Sequence, residues 1–183
     1  MFISKLKITF DTAAALEVIK NSNRWNSVAL RTEATTSPHH QVDDIWAHYG
    51  SLKDPLVQYD LPFKFHWYYE ELTPILKPIA DALMVHVDGI QLGLILITRI
   101  PAGSRVLPHI DKGWHAKTFS KYCVCVQANK EQAFCFEGQE LRTETGEVFW
   151  FDNSKSHWVN NDSDQDRISL IVCIKTASGI HNA

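Results

Sequence analysis

No two basic residues are adjacent anywhere in the 183 positions, and the balance of 18 Lys and Arg against 21 Asp and Glu gives a formal net charge of −3. That argues against a dedicated nucleic-acid or anionic-membrane binder, which needs clustered positive charge. Wholly apolar runs are short, Leu94–Ile97 among them, far below the roughly 18 residues of a membrane-crossing helix. The first residues, MFISKLKITFDTAAAL, alternate polar with apolar instead of presenting a basic segment followed by a greasy one. No signal peptide is therefore expected, and a cytoplasmic location is the default expectation. Cysteine is scarce: Cys123, Cys125, Cys135 and Cys173 contain no Cys-x-x-Cys pair and read as buried free thiols rather than a disulfide framework. The phosphate-binding, dinucleotide-binding, zinc-protease and nucleophile-elbow motifs are all missing, which removes those reaction classes from first consideration.

What is present suffices for a core. Apolar residues make up 45% and charged residues 21% of the chain, an ordinary globular composition, and the length fits a single domain over 1–183. Phe2, Ser4, Leu6, Ile8 and Phe10 follow a period of two and predict an edge or outer strand. Asp11 offers an N-cap to a short amphipathic helix over Thr12–Lys20. Leu72, Ile75, Leu76, Ile79 and Leu83 predict a second helix, capped by Thr73 with Pro74 at its first position and Pro78 as a potential kink. Between them, the aromatic-dense Tyr59–Tyr69 segment reads as a layer packed on the core, or as the wall of a cleft. From Ile90 onward the texture changes to seven or eight short β-like runs separated by turn signals, which predicts a sandwich or barrel of the jelly-roll kind. Residues 1–89 are thus N-terminal strand and helix elements, and 90–176 form a β-core.

The chemistry-bearing residues lie in that second half. His109-Ile110-Asp111 stands at the end of a β-like run, where residues two apart project from one face and can converge on one ion. His157 follows Asp111 by 46 residues, a separation that allows three intervening strands to return the chain to the first pair. Two imidazoles and one carboxylate on one side of an ion leave its other side open, which suits non-haem Fe(II) and oxygen chemistry. Arg167, ten residues after His157, shares one face of the strand RISLIVCIK with Ser169, Ile171 and Cys173. An inward guanidinium with a hydroxyl two residues on is a receptor for a buried carboxylate, and without an anion it would be costly. His39, His40 and His115 have no partners at ligand spacing and read as surface or cleft residues. Each of these features has a bland counterpart: a surface His-Asp turn pair, a satisfied core histidine, buried inert thiols at Cys123 and Cys125.

In order, His109-Ile110-Asp111, His157 and Arg167-Ile168-Ser169, with the phrases PAGSRVLPHID and GEVFWFDNSKSHWVNNDSDQDRISLIV, resemble the double-stranded β-helix of Fe(II)/2-oxoglutarate oxygenases. The aspartyl/asparaginyl β-hydroxylase family is the nearest likeness, over roughly residues 90–176. The resemblance implies a mainly β, cupin-like core with flanking helices. It implies Fe(II) held by His109, Asp111 and His157, 2-oxoglutarate gripped at its distal carboxylate by Arg167 with Ser169, and O2 as the oxidant. Succinate and CO2 would leave as a substrate C–H is hydroxylated. Where members of the family often carry Arg-x-His on the strand after the His-x-Asp loop, this chain reads Lys121-Tyr122-Cys123, so Lys121 stands as the candidate positive charge there. Asp111 makes this chain similar to the three-ligand members, and a carboxylate in that position favours hydroxylation over halogenation. The implied partner is a small-molecule or peptide substrate covered by the polar Thr35–Tyr49 stretch. The rival reading is a non-catalytic cupin-like module that binds a small carboxylate or sugar. A cupin-type isomerase fits less well, because it usually wants more histidine ligands.

Overall fold

The computed structural model describes residues 1–50 and 64–177. Its elements in chain order are β1 (Ile3–Thr9), α1 (Ala13–Lys20), β2 (Asp43–Tyr49), β3 (His66–Trp67), α2 (Thr73–His86), β4 (Gly89–Ile100) and β5 (Arg105–His109). There follow α3 (Trp114–Thr118), β6 (Ser120–Gln127), β7 (Gln132–Phe136), β8 (Gln139–Arg142), β9 (Glu147–Phe151), β10 (His157–Asn161) and β11 (Arg167–Thr176). A seven-stranded sheet runs β1-β9-β6-β11-β4-β2-β3, and a four-stranded sheet runs β5-β10-β7-β8. The described strand pairs are antiparallel. Eight strands lie beyond residue 88, as the turn rhythm predicts, and the two sheets form the double-stranded β-helix.

The larger sheet is buried on both faces, which explains why its central strands are apolar at successive positions instead of alternating. Outward-facing Val124 and Val126 of β6 and Ile168, Leu170 and Val172 of β11 join Ile45, Ile95 and Ile97 under the helices, where Ile19 of α1 and Leu76, Ile79 and Leu83 of α2 complete one core. Each such buried aliphatic contributes roughly 1.5–3 kcal/mol relative to exposure. The alternate positions of the same strands face the second sheet. There Cys123, Cys125, Phe149 and Phe151 meet Phe134, Phe136, Val106 and Val159.

Local expectations meet the structure with small shifts. The terminal strand β1 lies at the sheet edge, bonded to β9. Asp11 Oδ1 accepts from the Ala13 amide at 3.1 Å, while the Thr12 hydroxyl turns away to donate to the Val126 carbonyl at 3.0 Å. Helix α2 is continuous through Pro78, and the Thr73 hydroxyl bonds back to the Tyr69 carbonyl instead of capping forward. The proposed covering stretch Thr35–Tyr49 needs correction: its second half is β2, inserted between β4 and β3, because Ile45 and Ala47 are apolar enough to be drawn into the core under the helices. Of the aromatic Tyr59–Tyr69 segment, residues 59–63 lie outside the described residues; His66–Trp67 pairs with His48–Tyr49.

Candidate active site

Between the sheets lies a cavity of about 270 Å³. It exists because the inner positions of the central strands carry short side chains, Cys123, Thr98 and Ser169, where large aliphatics would have filled the space. Its volume is near the lower end of the range for small-molecule sites, roughly 300–1,000 Å³.

Antiparallel pairing of β10 with β5 sets His157 directly opposite His109. Four strands, β6 to β9, and the short helix α3 intervene, one strand more than the spacing predicts. Asp111 lies past the end of β5, so it is placed not by strand alternation but by its amide, which donates to the Asn153 carbonyl at 3.1 Å in the turn before β10. Donor atoms of His109, Asp111 and His157 all lie within 4.8 Å of one another. His109 Nε2 is 3.7 Å from Asp111 Oδ1, and His157 Nε2 is 3.8 Å from Asp111 Oδ2.

Both rings are oriented in the same way. His109 Nδ1 faces its Leu107 carbonyl at 2.8 Å, and His157 Nδ1 faces the Lys155 carbonyl at 2.9 Å. A carbonyl only accepts, so each Nδ1 carries the proton and each Nε2 presents a lone pair. Burial lowers the pKa of His109 and pushes that of His157 down to about 4, so both rings are neutral at neutral pH. Burial works against the Asp111 anion, but the Lys121 ammonium beside it outweighs that and holds the carboxyl below its ordinary range. Lone pairs from two neutral imidazoles and one carboxylate therefore converge with no proton between them, the donor set for a divalent transition-metal ion. The residues present fit the ion. Phe134 stacks on His157 at 5.6 Å, one of several aromatic contacts that fix the ring.

Lys121, on the inner face of β6, donates to Asp111 Oδ2 at 2.6 Å. Its first partner is thus the triad carboxylate. Arg167 is 1% exposed, and its described contacts are long: 3.5 Å from both terminal nitrogens to the Thr143 hydroxyl and 3.8 Å to Cys125 Sγ. No carboxylate meets it among the described residues. Contact with the Cys123 thiol and the adjacent guanidinium hold the Cys125 thiol below its usual range, while burial raises Cys123. Ser169 and Ile171 line the cavity between, on the same strand face as Arg167. All four cysteines are buried and unpaired with one another.

His39 lines this cavity rather than the surface, edge-on to His109 at 4.5 Å. His115 accepts from the Leu94 amide at 3.3 Å in the neighbouring aromatic cluster with Phe65 and Phe119. Sequence reasoning missed Arg31, which also lines the cavity and forms a two-pronged bond with the fully buried Asp44. Its segment is polar and without periodicity, so no sequence signal marks it.

A family model described as aspartyl/asparaginyl beta-hydroxylase matches residues 15–176. No curated protein matches the chain. Among solved structures, an oxidoreductase of the 2OG-Fe(II) oxygenase family from Burkholderia pseudomallei is similar at a TM-score of 0.58 and 16% identity, over 97% of this chain and 86% of that one. A prolyl hydroxylase from Trichoplax adhaerens, in complex with a hypoxia inducible factor peptide fragment, gives 0.58 and 10% over 96% and 84%. A Pseudomonas putida prolyl-4-hydroxylase gives 0.54 and 12% over 95% and 92%. At such identities the likeness is one of fold; the family match covers most of the chain. With its two-sheet core, the chain belongs to the aspartyl/asparaginyl beta-hydroxylase family of 2-oxoglutarate-dependent iron dioxygenases.

Proposed function

We propose that this protein hydroxylates an unactivated C–H bond of a small molecule or peptide side chain, consuming O2 and 2-oxoglutarate and releasing succinate and CO2. The carrying observation is that one cavity contains both the convergent His109, Asp111 and His157 donors and a buried guanidinium, Arg167, with no carboxylate partner among the described residues. His109, Asp111 and His157 hold Fe(II); Arg167 and Ser169 receive the distal carboxylate of 2-oxoglutarate. Bound there, the ferrous ion and its cosubstrate supply the oxidising equivalents for hydroxylation.

The protein's own part is positioning and dryness. The carbonyls of Leu107 and Lys155 keep each imidazole in the tautomer that offers Nε2. The Asn153 carbonyl fixes the loop that carries Asp111, and Lys121 holds the carboxylate from behind. Phe134, Phe151, Val106 and Val159 wall the cavity with apolar surface and exclude water from the reacting centre. Arg167, already desolvated, binds a carboxylate in a low-dielectric setting where a charge-assisted fork is strong.

The test is anaerobic addition of Fe(II) and 2-oxoglutarate to the purified protein, followed by O2. Keto chelation gives a visible charge-transfer band, and O2 then releases succinate. Absence of both in protein that is folded favours the non-catalytic binding module. Substrate is identified by a succinate-release screen over amino acids and peptides, read as a product mass gain of about one oxygen atom.

A further inference from the structure

The cavity is lined by a further cation, Arg31, to which neither the iron site nor the cosubstrate site assigns a role. Arg31, in the segment between α1 and β2, donates from Nε to Asp44 Oδ2 at 2.5 Å, and from one terminal nitrogen to Asp44 Oδ1 at 2.9 Å and the Thr98 hydroxyl at 2.8 Å. The Thr98 hydroxyl donates in turn to Asp44 Oδ1 at 3.0 Å, so the fork is fixed from two sides. The other terminal nitrogen has one long contact, 3.4 Å to His39 Nε2. A guanidinium carries five N–H bonds. Four are directed at these acceptors, and the fifth has none among the described residues. Asp44 is fully buried, yet the Arg31 side chain keeps 24% exposure and lines the cavity.

Position and charge both point to a ligand. Thr98, beneath Arg31, pairs across the β4–β11 ladder with Ser169, the hydroxyl assigned to the cosubstrate, while His39 bridges from Arg31 to the edge of His109. Arg31 is therefore beside both the cosubstrate strand and the triad without belonging to either. The cavity and its immediate partners hold three cations, Arg31, Lys121 and Arg167, and two carboxylates, Asp44 and Asp111. A divalent ion and a dianionic cosubstrate cancel, so the loaded site keeps one positive charge. Leu94, Leu96 and Ile100 give the nearby wall an apolar surface, and Trp46 beside them carries an indole N–H with no partner among the described residues.

We propose that Arg31 anchors a carboxylate of the molecule being oxidised, and that this molecule is a small monocarboxylate with an apolar body. This rests on the oxygenase reading and narrows its substrate. The cavity is small, its charged spare donor is a fixed guanidinium, and Leu94, Leu96 and Ile100 beside it offer dispersion contacts to an apolar body.

Full-length protein loaded anaerobically with Fe(II) and 2-oxoglutarate is titrated with free L-amino acids and aliphatic monocarboxylates, each beside its primary amide. At least one acid is expected to perturb the charge-transfer band and to couple succinate release to its own oxidation, with its amide binding about 10-fold or more weakly, as loss of a charge-assisted bond implies. Arg31→Met alone would leave Asp44 buried without a counter-ion, so Arg31→Lys and the double variant Arg31→Met with Asp44→Asn are compared. Both are expected to keep the band and the 2-oxoglutarate affinity. Affinity for the acid should fall about 10- to 100-fold, and affinity for the amide should stay where it was. The proposal is overturned by a band that no acid perturbs, by amides that bind as well as acids, or by Arg31 variants that weaken 2-oxoglutarate instead. A wild-type protein that forms no band removes the oxygenase reading itself.

Discussion

Replacing Arg167 by Met should move stability and cosubstrate affinity in opposite directions. The guanidinium is 1% exposed and, among the described residues, meets Thr143 at 3.5 Å and Cys125 at 3.8 Å, contacts too long to offset desolvation. An apolar side chain of similar reach removes a buried charge that has no carboxylate partner among the described residues, so the free variant should unfold at the same temperature as wild type or higher; comparable exchanges are neutral or stabilising by about 1–4 kcal/mol. Binding goes the other way. A guanidinium fork on a carboxylate makes two charge-assisted hydrogen bonds, each worth about 1.5–3 kcal/mol. Their joint loss of about 3–6 kcal/mol is a fall of about 10² to 10⁴ in affinity for 2-oxoglutarate. Isothermal titration with anaerobic Fe(II) present reads the affinity. Thermal unfolding with and without 2-oxoglutarate reads the stability: at a hundredfold excess over Kd the ligand adds about 2.7 kcal/mol to wild type, and the variant should show almost none of it at that concentration. Unchanged 2-oxoglutarate affinity, or a large loss of ligand-free stability, would falsify the assignment of Arg167 as an anion receptor awaiting its ligand.

Asp111→Ala and His157→Ala should each abolish turnover and Fe(II) binding by equilibrium dialysis; wild-type metal affinity in both would remove the triad assignment. Metal-free protein should lose stability on acidification. His157 is neutral in the fold with its pKa near 4 and titrates near 6.5 when unfolded; the unfolded state therefore takes up the proton first. The share due to His157 begins as pH falls through about 6.5, amounts to about 3 kcal/mol near pH 4 and levels off below, while His39, His109 and His115, also lowered by burial, add their own losses. Urea unfolding across that window checks it, with His157→Phe expected to reduce the loss by that share. Leu83→Ala, in the core under the helices, should lower stability by about 2–5 kcal/mol while 2-oxoglutarate affinity measured on the folded fraction stays at the wild-type value; a parallel loss of affinity would show that the helix layer shapes the cavity directly.

Much of the site was legible because strands alternate. A period of two places Arg167, Ser169, Ile171 and Cys173 on one face whatever their neighbours are, and the structure turns three of these, Arg167, Ser169 and Ile171, to the cavity. His109 and His157 were legible as types of ligand. Asp111 was legible for a reason that does not hold in the fold, since a loop bonded to Asn153 places it and not strand geometry. The Thr35–Tyr49 stretch misled because polarity at Thr35–Gln41 conceals the strand that starts at Asp43, whose buried Asp44 is paired by Arg31.

By itself, the sequence determined the secondary-structure rhythm and the inward face of each strand, because these depend on neighbours one to four residues apart. It also determined the donor types that suit a ferrous ion. Only the tertiary structure decided that His157 lies opposite His109, that Lys121 meets Asp111, and that Arg31 enters the same cavity as Arg167. Those are matters of register and sheet closure between segments tens of residues apart. Many pairings satisfy the same local pattern, and the burial of two hydrophobic cores selects among them.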